Sequence, residues 1–297
     1  MKSFEYVVPE KLEEAVSLLV QHDGKAAILA GGTDLLVKMR DRVLQPGLLI
    51  DLKHITDLSG IDYSEAEGLR IGALVNICDI EKSKLIQEKF SMLSQAAGTL
   101  GSVQVRNKAT VGGNLCNAAP SADMAPSLLG LGASVTLAGP GGESLLPLEE
   151  FFTGPGETVL GKGQILKDVR VPNMSAHSEG IYLKFSRRKA MDLALVGVAS
   201  VLTMDSALAN CTDIRIVLGA VAPTPLRAKR AEAVLRGNKI SDFLIKEAAK
   251  VASEEAAPIT DVRASLWYRK QIIKVLVNQS IVQALEKLKS GGSEGEA

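Results

Sequence analysis

Apolar and polar positions at Phe4, Tyr6 and Val7 follow the pattern of a short strand. Pro9 and Glu10 then open a helix whose apolar face is Leu12, Ala15, Val16, Leu18 and Leu19. The apolar run from Ala27 to Ala30 ends in Gly31-Gly32, and the amphipathic stretch Leu35 to Arg40 follows. That order predicts strand, tight turn and helix start. Leu48 to Leu52 has the pattern of a further strand. Residues 1–56 are therefore expected to form a small α/β lobe.

A second lobe is expected over residues 57–174. Leu69 to Ala73 starts it as a strand, and Ile77 to Leu100 carries helical periodicity. The apolar stripe there is Ile80, Leu85, Ile86, Phe90, Leu93 and Ala97, with Gly98 and Gly101 ending it. Pro126 to Leu131 reads as a short helix, Ala133 to Ala138 as a strand and Gly139 to Gly142 as a turn. Phe151-Phe152 is a core anchor entering the loop Thr153 to Gly156, and Ile165 to Val171 is a strand stopped by Pro172.

The polar stretch Asn173 to Gly180 marks a boundary, and a C-terminal domain is expected over 178–289. Its β-rich runs are Tyr182 to Ser186, Ala194 to Met204 and Ile214 to Val221, after which Pro223 and Pro225 break the pattern. Helices follow at Lys229 to Leu235, Phe243 to Ala256 and Leu266 to Leu288. Strands followed by helices point to an α+β layer. The tail, 290–297, reads as disordered.

The 34 basic and 34 acidic side chains cancel, so no basic footprint points to nucleic acid. Cys78, Cys116 and Cys211 are far apart, without a C-x-x-C pair, so neither zinc nor an iron–sulfur cluster is signalled in this chain. Sparse cysteines suit a reducing compartment. The opening residues lack the apolar core of a signal peptide and no run is long enough to span a membrane, so a cytoplasmic location is expected. His22, His54 and His177 are isolated. No Ser/His/Asp arrangement, paired acid motif or metal ligand set stands out, and no catalytic or metal-binding residue is assigned. That suits a protein whose chemistry belongs to a bound cofactor.

Two glycine motifs are the candidate grip. In Lys108-Ala-Thr-Val-Gly-Gly-Asn114, paired glycines let backbone approach a ligand, and a run of exposed N–H groups would form a nest for a pyrophosphate. Thr110, Asn114, Ser121 and Asp123 add polar side chains. Ala27-Ile-Leu-Ala-Gly-Gly-Thr-Asp34 has the same character and opens a helix, whose N-terminus favours phosphate. The same residues also suit a plain glycine turn with an Asp helix cap. Asp51 follows Gly31 by 20 positions, a spacing seen for the ribose-binding acid of a Rossmann unit, but the third glycine of that fingerprint is absent.

Ala-Gly-Gly-Thr-Asp at 30–34 together with Thr-Val-Gly-Gly-Asn at 110–114 resembles the FAD-binding medium subunit of the molybdenum hydroxylases, which include bacterial xanthine dehydrogenases and carbon monoxide dehydrogenases. The resemblance extends over nearly the whole chain. It implies an α+β protein: a two-lobed vanillyl-alcohol-oxidase (PCMH-type) FAD-binding fold, then a C-terminal domain of a small antiparallel sheet plus helices. It implies that Ala27, Ile28, Leu29, Ala30, Gly31, Gly32, Thr33 and Asp34, with Thr110, Val111, Gly112, Gly113 and Asn114, wrap the FAD pyrophosphate and ribityl chain. Asp123 matches an aspartate that hydrogen-bonds the cofactor, with Ser121 close by; Leu100 packs on the cofactor and Leu166 contacts the flavin region. Lys184 matches a lysine near the isoalloxazine ring, where a cation favours added electrons and raises the potential. Arg187, Arg188 and Asp192 are candidates for a mobile loop at the ring.

The resemblance further implies a complex. A large molybdopterin subunit oxidises the substrate, and a small subunit with 2Fe-2S clusters passes electrons to the FAD of this chain. NAD or another acceptor then takes them, in a dimer of heterotrimers. Val111 stands where isoleucine is commonest, a small volume change. The clustered cysteine insert of the hydroxybenzoyl-CoA reductases is missing, so no cluster is expected here. A stand-alone FAD oxidoreductase whose C-terminal part caps its own pocket is the alternative. A binding module that uses its glycines only for folding is a third.

Overall fold

The computed structural model of the chain describes residues 2–22 and 24–291. From residue 292 onward, the tail expected to be disordered lies outside them. The chain divides into two compact units. One runs through Asp79, takes up Val103–Ala118 and ends with Gly132–Asn173; the other holds Ile80–Ser102, Ala119–Leu131 and the chain from Met174 on.

The first unit carries two larger sheets and the two-stranded ribbon of Phe152–Gly154 with Glu157–Thr158. Leu48–Asp51 is the centre of a parallel three-stranded sheet, between Glu5–Val7 and Ala26–Leu29. All four of its residues are buried, which explains an unbroken apolar run where an exposed strand would alternate. The second sheet is antiparallel, in the order Ile61–Ser64, Gly68–Gly72, Ile165–Val171, Ser134–Gly139, Gly142–Pro147. Helix Leu12–Gln21 turns Leu12, Ala15 and Val16 into one core with Leu48 and Ile50 of the first sheet and Ala138 and Ile165 of the second. Asp51 is engaged by its own chain. Its carboxylate accepts the Tyr6 hydroxyl, the Lys53 amide at 3.0 Å and the Lys53 ammonium at 2.6 Å. With those partners and a sheet of only three strands, the Rossmann alternative is excluded.

The second unit is built on an antiparallel sheet of Ser178–Phe185, Val196–Met204, Cys211–Gly219 and Leu226–Arg227, in that order. Ile181, Val198, Leu202, Ile216 and Leu218 point to one face and share a core with helices Lys229–Leu235, Asp242–Glu255 and Leu266–Gly291. On the other face lie helices Ser91–Thr99 and Met124–Gly130, where small residues admit them. A Cβ at Gly180 would lie 3.2 Å from Met92, and one at Gly219 would lie 2.7 Å from Pro126.

Two expectations need correction. The helical stripe from Ile77 to Leu100 is three helices, Ile77–Lys82, Lys84–Lys89 and Ser91–Thr99. Ser83 leaves the helical region and caps the next helix, its hydroxyl accepting the Ile86 amide, and Phe90 breaks the path again. Gly98 lies inside the last helix, whereas Gly101, at φ 52°, sits beyond its end. The turn after Gly139 is the tip of a hairpin whose second strand, Gly142–Pro147, was not expected.

Glu232 anchors the C-terminal helices to the sheet. It is 1% exposed and accepts the Ile216 amide at 3.0 Å and the Nε and Nη2 of Arg227 at 2.8 and 3.0 Å. Glu232→Ala leaves a buried amide and a half-buried guanidinium without that acceptor, and is expected to cost about 3 kcal/mol. Urea unfolding checks this; an unchanged midpoint would mean that water takes over those donors.

Candidate cofactor site

The two glycine motifs meet inside the first unit. A Cβ placed on Gly31 would lie 1.8 Å from the carbonyl oxygen of Lys108 and 3.0 Å from the Cα of Ala109. Only glycine permits that approach, because the atom in the way is backbone. Gly32 is required for a second reason: its φ is +76°, the left-handed region. The helices that follow the motifs are also joined, Lys38 donating to the Asn117 side chain at 2.7 Å.

The second motif is a helix, not a turn between strands. Thr110 caps Val111–Asn117, its hydroxyl accepting the Gly113 amide at 3.0 Å. The Val111 amide goes to the Val75 carbonyl and the Gly112 amide to that of Ala73, each within 3.0 Å. A Cβ on Gly112 would stand 2.7 Å from that of Ala73, so this glycine serves close packing. The expected nest of exposed N–H groups is therefore not found here; the donors are spent on the protein itself. The first motif differs. Among the described residues, the amides of Gly31, Gly32, Thr33 and Asp34 have no backbone acceptor. They precede helix Leu35–Arg40, and Asp34 does not cap it with its carboxylate.

The second motif itself leaves one polar atom over. The Oδ1 of Asn114 is buried and has no hydrogen-bond partner among the described residues. Such an atom costs about 1–3 kcal/mol unless something supplies its partner. Backbone amides without a backbone acceptor suit the phosphates of a dinucleotide and a buried amide oxygen without a donor suits its hydroxyls, so these polar groups and the glycine-lined approach fit FAD. Leu166, 3% exposed, lies in Ile165–Val171, the strand against which helix Val111–Asn117 packs.

In the second unit the structure joins Asp123 and Lys184. The Lys184 ammonium donates to Asp123 Oδ2 at 2.8 Å and to the Thr99 carbonyl at 2.9 Å, with side chains 6% and 7% exposed. Asp123 precedes helix Met124–Gly130, yet its carboxylate does not cap it. Tyr182, absent from the sequence assignment, donates to the other oxygen at 3.0 Å. Strand alternation was the available signal, since Tyr182 and Lys184 lie two apart in Ser178–Phe185 and share a face. Burial pushes the Asp123 carboxyl above its usual range, against the pull of Lys184 and Tyr182. Thr99, Lys184 and Phe185 line a cavity of about 270 Å³ with the turn that carries Arg187, Arg188 and Asp192. Asp192 holds this turn by accepting the amides of Arg188 and Leu193. Leu100 is buried and Ser121 half-buried. Among the described residues no cluster of His, Cys, Asp and Glu could hold a metal, and no helix is long and apolar enough to cross a membrane.

Comparison with known proteins agrees over both units. Residues 2–174 match the family described as the FAD binding domain in molybdopterin dehydrogenase. Residues 181–284 match the CO dehydrogenase flavoprotein C-terminal domain. The chain is 34% identical to the glyceraldehyde dehydrogenase medium chain of Sulfolobus acidocaldarius, over 92% of this chain and 95% of that one. It is 32% identical to the carbon monoxide dehydrogenase medium chain of Hydrogenophaga pseudoflava, over 94% and 96%. The solved structure of that organism's carbon monoxide dehydrogenase lacking the Mo-pyranopterin moiety superposes with a TM-score of 0.92, at 33% identity, covering 97% of this chain and 98% of that one. Quinoline 2-oxidoreductase from Pseudomonas putida 86 superposes at 0.90 with 30% identity, covering 97% and 99%. Glycine motifs that meet backbone to backbone, polar groups fit for a dinucleotide and matches along nearly the full length lead to one conclusion: the chain belongs to the family of FAD-binding medium subunits of the molybdenum hydroxylases.

Proposed function

We propose that this oxidoreductase subunit is the electron-transfer station of its complex. When bound, FAD supplies the exchange between the 2Fe-2S clusters of a small subunit and NAD or another acceptor, while a large molybdopterin subunit oxidises the substrate. The assembly is a dimer of heterotrimers in the cytoplasm. Support comes from the relatives, which are named as medium chains or subunits of dehydrogenases. That naming favours a subunit over the stand-alone oxidoreductase.

The observation that carries the FAD reading is the contact of Gly31 with the Lys108–Ala109 backbone. It sets the amides of Gly31 to Asp34 beside the segment that leads into Thr110 and Asn114. The roles follow from what each group has to offer. The free amides of the first motif take phosphate oxygens, for which N–H donors and a helix start are suited. The Asn114 Oδ1 accepts a ribityl hydroxyl, which removes the cost of its missing donor. Ala27 to Ala30 and Val111 form the apolar and backbone walls, and Leu166 and Leu100 add apolar contact. In the second unit, Lys184 supplies positive charge to the ring and Asp123, with Ser121 near it in sequence, fixes polar edges.

Gly31→Ala puts a methyl group into the Lys108 carbonyl, an overpacking of about 1–3 kcal/mol that must be relieved by moving the motifs apart. The variant is expected to retain FAD about five- to 150-fold more weakly. The flavin-to-protein absorbance ratio measures it, and a normal ratio in folded protein would sink the assignment. Lys184→Met is expected to keep FAD and lower its midpoint potential by about 20–90 mV, the range for one nearby charge in a two-electron couple. Spectroelectrochemical titration reads this; an unchanged potential removes Lys184 from the ring.

A further inference from the structure

Tyr182 has no role in the scheme above, yet it is bound more tightly into the Asp123–Lys184 pair than a core tyrosine needs to be. It is 4% exposed. Its hydroxyl donates to Asp123 Oδ1 at 3.0 Å, and its amide donates to the Gln95 side chain at 3.2 Å. A Cβ at Gly197 on the neighbouring strand would come within 3.0 Å of that hydroxyl, so the glycine leaves the oxygen its place. Gly197 is the cross-strand partner of Lys184, so the same residue pair sets the register of the ammonium.

We infer that Tyr182 is a positioning residue: by donating to Asp123 it holds that carboxylate ionised, and through it keeps Lys184 charged and fixed. The inference rests on the proposed reading of Lys184 as the cation that meets the flavin. A carboxylate this deeply buried is costly and must be held by donors. Asp123 has two side-chain donors. Lys184 occupies one oxygen, and its ammonium is shared with the Thr99 carbonyl. Tyr182 is the donor on the other oxygen. Thr99, from helix Ser91–Thr99, faces the cluster with neutral groups, and Arg187, Arg188, Lys189 and Asp192 border Lys184 across the cavity. The Tyr182 phenol is itself pushed well above its ordinary value by burial and by Asp123, so it remains protonated and remains a donor. Two of the three Lys184 hydrogens are directed at Asp123 and Thr99. The third is free to serve a group in the cavity, and its aim is set by the first two.

Tyr182→Phe tests this with little change of shape. Burial already raises the folded-state pKa of Asp123, so its contribution to stability is present at low pH and is lost as pH rises through the folded value. Without the hydroxyl that value rises further, because a hydrogen bond to the charged form is lost. Two measurements read it on the full chain. Thermal denaturation of the FAD-free protein across pH is expected to show the break moved upward in Tyr182→Phe. The midpoint potential of the FAD-loaded protein is expected to break at the same displaced pH, with a higher potential below it, where protonated Asp123 no longer offsets Lys184. A uniform loss of melting temperature with neither break moved means that the hydroxyl only packs, and overturns the inference. If Lys184→Met shifts the potential while Tyr182→Phe moves nothing, the inference fails and the reading of Lys184 stands. If the thermal break moves but neither variant shifts the potential, Tyr182 does hold Asp123, and the reading of Lys184 fails instead.

Discussion

No side chain fits between residue 31 and the carbonyl of Lys108, and the geometry of the first unit follows from that contact. The chain must leave the strand Ala26–Leu29, turn through a left-handed glycine and pass against a segment distant in sequence before entering a helix. Backbone-to-backbone approach of this kind leaves amides pointing outward that no neighbouring carbonyl can take. In most turns water satisfies them. A ligand rich in phosphate oxygens can do so with more order, and the cost of ordering the loop has already been met by folding.

The glycines of the second motif look alike in sequence and do something else. Gly112 is a packing residue against Ala73, and the amides around it are consumed by Val75, Ala73 and Thr110. Pairs of glycine announce that backbone comes close to something, but whether that is a ligand or another strand depends on partners far away in the chain. The same limit explains the other differences. Strand Ile165–Val171 and helix Lys229–Leu235 were legible to the residue because burial imposes a clear period on them. Strand Gly142–Pro147 was not: it is a sheet edge, largely exposed, with Leu145 at 61%, so nothing forces its side chains to alternate. The helical stripe up to Leu100 kept its period across two breaks, because the apolar residues of all three short helices face buried surroundings while Ser83 redirects the path.

The candidate site divides in the same way. The residues that close-packed backbone demands could be found by their type, since few amino acids tolerate such positions. Asp123 and Lys184 carry no such mark; a buried carboxylate and a solvated one look the same in a string of letters. Asp123 came forward only as one of several polar side chains near the second motif and Lys184 only by family resemblance; the structure shows that they bind each other, with side chains 7% and 6% exposed. Tyr182 escaped even that, although its place two residues before Lys184 on a strand implied a shared face.

A buried ion pair is poor evidence for stability, since removing two charges from water costs about as much as their attraction returns. The Asp123–Lys184 pair is better understood as a way to hold one ammonium at a fixed point with a fixed charge. An isolated lysine in that place would be free to lose its proton or to swing into solvent. Pinned between a carboxylate and the Thr99 carbonyl, it can do neither without breaking hydrogen bonds of 2.8 and 2.9 Å. The carboxylate in turn needs its second donor, because burial alone favours its neutral form. The fold thus supplies a positive charge of set position by stacking one dependency on another: strand register places Tyr182 and Lys184 on one face, Gly197 leaves room for the phenol, and the phenol keeps Asp123 ionised. Chemistry that depends on a cofactor's electron affinity requires such a charge to be constant, and a chain of buried hydrogen bonds provides constancy where surface charges, screened and mobile, do not.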